Sequence, residues 1–464
     1  MQPLVVIDVV GLSMRQVGVR TPNLVRLAKD GCGAPMRTIL PAVTCSAQAT
    51  MLTGLAPSVH GAVGNGWYMR ETGEAALWRQ ANALLSGEKL YEAVKRLDPA
   101  ATTAKIFWWW NMGAAVDLAV TPRPFYPADG RKIPAIYAAP TEYGLELERE
   151  LGPFPFFDFW GPKSGLPSSR WLADATIRTL RGKRPTLTMV YLPHLDYDHQ
   201  RFGPDHPRSL AALEEVDRLV GDIRTAAEEM GAATLVVSEY SLEDATRPVH
   251  INRALREAGL AAVRRTPQGE VFDPFQSRAF AVSDHQVAHV HAKDARALDE
   301  ARAVARGLPG VAEVLEGPSR AAAGLDHPRA GDLVLVAEKG AWFTYYHWLD
   351  DAAAPDFART VDIHRKHGYD PCELFLDPAL PAPKLRIALR LLQKKLGMRY
   401  LMDVIPLDAS LVKGTHGRID PDPARQAVFL ASRPWSECGG EPREGTVAMA
   451  ETKARALALL ARAR

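Results

Sequence analysis

The sequence predicts an α/β fold, a mostly parallel sheet flanked by helices and carrying an inserted α+β cap subdomain. Three observations carry this. Strand-like apolar runs alternate with helical patterns along most of the chain. The first run, Leu4 to Ile7, is apolar on both faces and delivers Asp8 into the turn Val9-Val10-Gly11-Leu12, the arrangement of a buried strand in an open parallel sheet. At 464 residues the chain also exceeds what one compact core usually supports.

The elements follow in order. After the first strand, helices are expected near Thr21 to Lys29 and from about Cys45 to Leu52, then a strand near Ala104 to Phe107. An aromatic and proline-rich stretch, Trp108 to Pro167, precedes a helix near Ser168 to Leu180 and the strand Leu187 to Leu192. A helix near Ser209 to Met230 leads to the strand Ala233 to Ser238. The pattern then shifts to short strands with one helix near Ala295 to Gly307, and the strand Asp332 to Ala337 is expected to resume the main sheet. Residues 1–247 therefore read as the first part of the core, 248–325 as the inserted cap, 326–440 as the second part of the core and 441–464 as a helical tail on the surface. Lys384 to Arg399 is a basic amphipathic helix with Leu385, Leu389, Leu392 and Leu396 at helical spacing. Its leucines are expected to pack on the domain, with the charges solvated; the alternative is binding to a membrane surface.

Charge and cysteine bound the partners. Lys plus Arg number 56 against 54 Asp plus Glu, a formal net charge of +2, so no global field steers a nucleic-acid polymer or an acidic membrane. Cys32, Cys45, Cys372 and Cys438 are widely scattered, which fits reduced buried thiols better than a disulfide scaffold or a zinc ribbon. The N-terminus begins with a strand and has no signal-peptide pattern, and no run of about 18 uncharged apolar residues occurs. A cytoplasmic protein without stable membrane insertion is expected.

The chemistry concentrates at strand ends. Asp8 is followed by Leu40-Pro41-Ala42-Val43-Thr44-Cys45-Ser46 at the start of a helix, then by His60-Gly61 and Asn65. Helix N-termini favour anions, so a hydroxyl there suits attack on a phosphoryl group. Cys45 is the rival nucleophile, because a helix N-terminus lowers a thiol pKa. A hydrolytic Cys usually works with a His base, which favours Thr44.

This layout resembles the type I phosphodiesterase and nucleotide pyrophosphatase family of the alkaline phosphatase superfamily, with Asp8, Thr44 and Asn65 at the positions of the family's metal-binding Asp, nucleophilic Thr and phosphate-contacting Asn. The resemblance implies an alkaline-phosphatase-like core and two divalent ions, zinc or manganese, about 4 Å apart. For one ion, Asp196 and Gly203-Pro204 match, but Gln200 stands where the family has His, and His199 lies one residue early. The late His ligand is assigned to His416 in Gly414-Thr415-His416-Gly417, with His367 as the alternative. For the other ion, which takes Asp8 and Thr44, Ser238-Glu239-Tyr240 replaces Ser-Asp-His; Glu239 serves as an oxygen ligand and Tyr240 is a poor substitute for imidazole. Asp284 and His285 are candidates for compensation.

The implied function is metal-dependent hydrolysis of a small-molecule phosphate ester, of phosphodiester or pyrophosphate type, through a phospho-threonine on Thr44 with Asn65 assisting. The departures leave one or two ions open. Alternatives are a phosphonate or sulfate ester hydrolase, a phosphoryl transferase, or a non-catalytic descendant that binds a metabolite.

Overall fold

The computed structural model describes residues 1–128 and 131–461. In chain order the strands of its two principal sheets are β1 (Leu4–Val9), β2 (Cys32–Arg37), β3 (Thr103–Ile106), β4 (Leu118–Pro122), β5 (Ile136–Ala139), β6 (Leu187–Leu192), β7 (Ala233–Val237), β8 (Ala279–Asp284), β9 (Val287–Ala292), β10 (Val311–Leu315), β11 (Leu333–Ala337), β12 (Ala427–Ala431) and β13 (Val447–Ala448). The main sheet has nine strands in the order β13-β2-β12-β7-β1-β6-β3-β4-β5. Only β12 and β5 run against their neighbours.

β1, β6 and β7 form the centre, in register Asp8 with Tyr191 and Val237. All three are buried throughout, which is why they read as unbroken apolar runs. Their carboxyl ends bring Asp8, the helix His194–Phe202 and the turn Ser238-Glu239-Tyr240 to one edge. Helices cover both faces over two apolar clusters, one around Val6, Met189 and Leu235 and the other around Ile7, Val190 and Val236.

β11 belongs to the second sheet. It does not return to the main sheet but lies between β9 and β10 in an antiparallel sheet of order β8-β9-β11-β10. A short, wholly apolar run announces a buried strand without naming its sheet. The chain regains the main sheet only at β12. The tail is also more than a surface helix: β13 forms the sheet edge beside β2, and Leu459 and Leu460 of the helix Thr452–Ala461 are buried. The helix Pro383–Lys395 departs from expectation in the opposite sense, turning its leucines outward. No described helix is long and apolar enough to cross a membrane.

Candidate active site

Thr44 is the first residue of the helix Thr44–Thr53, every residue of which is buried. Its Oγ1 donates to Glu239 Oε2 at 2.8 Å and lies 3.3 Å from the Tyr240 hydroxyl. Gln48, four residues on and so on the same helical face, donates from Nε2 to Glu239 Oε1 at 2.6 Å and to Asp8 Oδ2 at 3.2 Å. Its own Oε1 accepts the Trp109 backbone N–H. Burial, then the Glu239 charge beside it, raises the Asp8 carboxyl well above its usual range. Glu239 is pushed up to about 7, chiefly by burial. The pair favours a proton near neutral pH because two buried carboxylates cannot both ionise without a cation.

Asp196 faces the same space. Gln200 Nε2 donates to its Oδ2 at 2.6 Å, the Tyr240 hydroxyl reaches its Oδ1 at 3.5 Å, and burial pushes its carboxyl to about 7. Gln200 Oε1 accepts from the Tyr369 hydroxyl at 2.8 Å. His416 stacks face to face on Tyr240, with ring centroids 3.5 Å apart, and its Nε2 is 4.0 Å from Asp196 Oδ1. His285 lies between His416 and Tyr369, at 3.6 and 3.8 Å.

Three segments remote in sequence are joined here. His416 Nδ1 is 2.7 Å from the Ala42 carbonyl, the Ala42 N–H donates to the Gly417 carbonyl at 2.8 Å, and the Gln286 N–H donates to the His416 carbonyl at 3.0 Å. Gly417 has φ +129°, and a Cβ there would stand 3.0 Å from the Gln286 nitrogen, so the crossing requires glycine.

The structure thus brings Asp8, Thr44, Asp196, Gln200, Glu239, Tyr240, His285 and His416 together. Two candidates stand elsewhere. The helix His194–Phe202 is regular, so His199 is turned about 100° away from Gln200, and its Nε2 meets the Gln16 side chain instead. His367 packs on Phe272, Tyr345 and His347. Asp284 is paired with Asn65. It accepts from Asn65, N–H to Oδ2 at 2.7 Å and Nδ2 to Oδ1 at 3.0 Å, while Asn65 Oδ1 accepts the Cys45 N–H at 3.0 Å. Asp284 therefore fixes Asn65 against the first turn of the Thr44 helix. Gln48 was not assigned from sequence; the available signal was an amide one turn after Thr44 in an otherwise small and apolar helix.

A cavity of about 120 Å³ opens onto Thr44 and Asp196. Trp78, Trp109, Trp160, Tyr197 and Tyr369 wall it, and Arg123 and Lys132 line it as well. Trp108 and Trp110 are buried core, so of the run Trp108-Trp109-Trp110 only Trp109 faces the cavity.

The donor set does not fit two divalent ions. Among the described residues, no group of three or more His, Cys, Asp or Glu side chains converges as ligands. Gln48 Nε2 donates to both Asp8 and Glu239, whose carboxyl groups also meet each other directly, so a donor amide sits where an ion needs acceptors. On the other side the phenol of Tyr240 lies against His416, the imidazole 4.0 Å from Asp196, and the Gln200 carbonyl oxygen is taken by Tyr369. Asp196 and His416 remain, fewer than the three protein ligands of a catalytic zinc site. After loading with zinc or manganese and desalting, elemental analysis is expected to find less than about half an equivalent of metal per chain. Retention of two equivalents would contradict this.

Residues 4–370 match the family described as type I phosphodiesterase / nucleotide pyrophosphatase. An uncharacterized pyrophosphatase/phosphodiesterase of Schizosaccharomyces pombe is 26% identical over 216 residues, 44% of this chain and 36% of that protein. The match thus spans little more than a third of the length of that relative. Among solved structures, phosphonoacetate hydrolase from Sinorhizobium meliloti 1021 in complex with phosphonoacetate is similar with a TM-score of 0.63 at 16% identity, covering 99% of this chain and 96% of that one. Murine ectonucleotide pyrophosphatase / phosphodiesterase 5, in an inactive form with AMP, is similar with a TM-score of 0.57 at 13% identity, covering 99% and 95%. At these identities the two structures speak for the fold. With the family match covering more than three quarters of its length, the chain belongs to the type I phosphodiesterase / nucleotide pyrophosphatase family.

Proposed function

We propose that the chain hydrolyses a small phosphate ester with Thr44 as nucleophile. The observation that carries this is the Thr44 hydroxyl at a helix N-terminus on the cavity wall, donating at 2.8 Å to a buried carboxylate, Glu239. Glu239 takes the Thr44 proton as Oγ1 attacks phosphorus. The new P–O bond forms as the ester P–O bond breaks, and the departing alkoxide takes a proton from solvent. Water then attacks phosphorus, the bond from phosphorus to Thr44 Oγ1 breaks, Oγ1 recovers its proton from Glu239, the water's proton passes to solvent, and phosphate, or from a diester the phosphate monoester, is released. The Thr44 N–H and the second hydrogen of Asn65 Nδ2, whose first is held by Asp284, favour the phosphoryl oxygens. The tryptophans and tyrosines of the cavity suit an ester with an aromatic or bulky apolar body. No step is assigned to a metal, because the ligand set for one is incomplete.

The test is capture of the intermediate. Acid quench during turnover of an aryl phosphate ester, followed by peptide mass mapping, is expected to find one phosphoryl group on the peptide containing Thr44. An unmodified peptide under steady turnover would reject this reading. A second reading, retention of a phosphorylated ligand without turnover, is favoured by the missing ligand set. It predicts saturable binding of the ester with no product released.

A further inference from the structure

The helix Pro383–Lys395 is mounted with its apolar side outward. Leu385, Leu389, Leu392 and Leu396 lie within about 60° of arc on one side and are 60%, 53%, 51% and 66% exposed. Its opposite side is fastened to the body. Ile387 packs against the apolar cluster around Trp342, Tyr346 and Trp348, and Arg386 and Arg390 are ion-paired with Asp403. That fastening explains the orientation: a buried-side carboxylate claims the two arginines, and the leucines are left over. The chain just beyond the helix continues the surface with Met398, Tyr400 and Leu401, all exposed. An apolar strip of this extent on a soluble domain marks a docking face.

Charge decides the occupant. Between Lys384 and Met402 there is no Asp or Glu, and there are six basic residues. Two of them are held by Asp403, which leaves Lys384, Lys394, Lys395 and Arg399 without an ion pair among the described residues. Lys384 and Lys395 lie about 90° round the helix from the strip, at the level of a surface into which the leucines would sink. A second copy of the chain would set these cations against their own kind. An anionic bilayer offers acyl chains to the leucines and phosphate groups to the cations together.

We infer that this helix docks the protein onto an anionic lipid surface, lying in the plane of the headgroups. Ile387 and Val361 pack against the same apolar cluster, and Val361 also lines the cavity, so docking would place the bilayer on the side of the domain that carries the cavity wall.

The experiment is flotation of the full chain with vesicles. Binding is expected to vesicles containing about 30% phosphatidylglycerol, to fall at least roughly tenfold on pure phosphatidylcholine, and to weaken as salt is raised. Leu389→Glu with Leu392→Glu, and separately Lys384→Glu with Lys395→Glu, should each abolish it. Both pairs are on the surface, and circular dichroism and unfolding midpoint are expected to stay unchanged. Equal binding to both vesicle types, no binding to either, or binding unaltered in either variant would overturn the inference. So would a concentration-dependent dimer that the leucine pair abolishes, since the occupant would then be a second copy.

Discussion

Thr44→Ala is expected to lower kcat by about 10³-fold or more while moving unfolding stability by no more than about 1 kcal/mol. The asymmetry follows from the hydroxyl's surroundings. Thr44 Oγ1 touches only Glu239 and Tyr240 through polar contacts, and Gln48 continues to hold Glu239 and Asp8 when it is gone. Thr44→Ser keeps the attacking oxygen and should retain part of the rate. The neighbouring thiol is no substitute. Burial, and then the charges of Asp284 and Glu239, raise the Cys45 pKa well above its usual value, so Cys45→Ala should remain active. Steady-state kinetics on an aryl phosphate ester checks both. An active Thr44→Ala beside an inactive Cys45→Ala would reverse the assignment.

Lys366→Met is expected to cost about 3 to 5 kcal/mol of stability. Lys366 Nζ is buried 2.8 Å from Asp370 Oδ2 and 2.6 Å from Glu373 Oε1, and it donates to the Thr360 carbonyl at 2.9 Å. All three side chains are 1–2% exposed. Removing the cation strands two carboxylates that no solvent reaches, whereas removing all three charges strands nothing. Adding Asp370→Asn and Glu373→Gln to Lys366→Met should therefore recover most of the loss in urea unfolding. The effect extends to the cavity, because Glu373 also accepts from Trp160 Nε1, and Trp160 is part of the cavity wall. A Lys366→Met protein within about 1 kcal/mol of the parent would show that the network does not carry the fold there.

The readable part of this chain lay where one strand or one turn suffices. Leu4 to Ile7 and Ala233 to Val237 announce buried parallel strands by composition, and Asp8 and Glu239 follow as residues at their carboxyl ends. His199 was also decidable in principle, since one residue of helical phase removes it from the Asp196 face. The unread part depends on pairing between distant segments. β11 carries no mark of which sheet receives it. Asp284 looks like half of an Asp-His ligand pair until Asn65, 219 residues away, is seen to occupy both its oxygens. The outward leucines of Pro383–Lys395 follow from Asp403, which lies beyond the helix and takes two arginines inward.

The linkage through Ala42, Gln286 and His416 has a mechanical meaning. The loop that presents the nucleophile, the β8–β9 hairpin of the second sheet and the late histidine loop are bolted to each other by backbone groups rather than by mobile side chains. Fluctuations that would swing any one of them away must break the bonds to the others. The three segments therefore share one opening free energy, as a single cooperative unit in local unfolding. Strain introduced at the outer sheet has a rigid route to the attacking hydroxyl, and the geometry at phosphorus is as stiff as the least firmly held of the three.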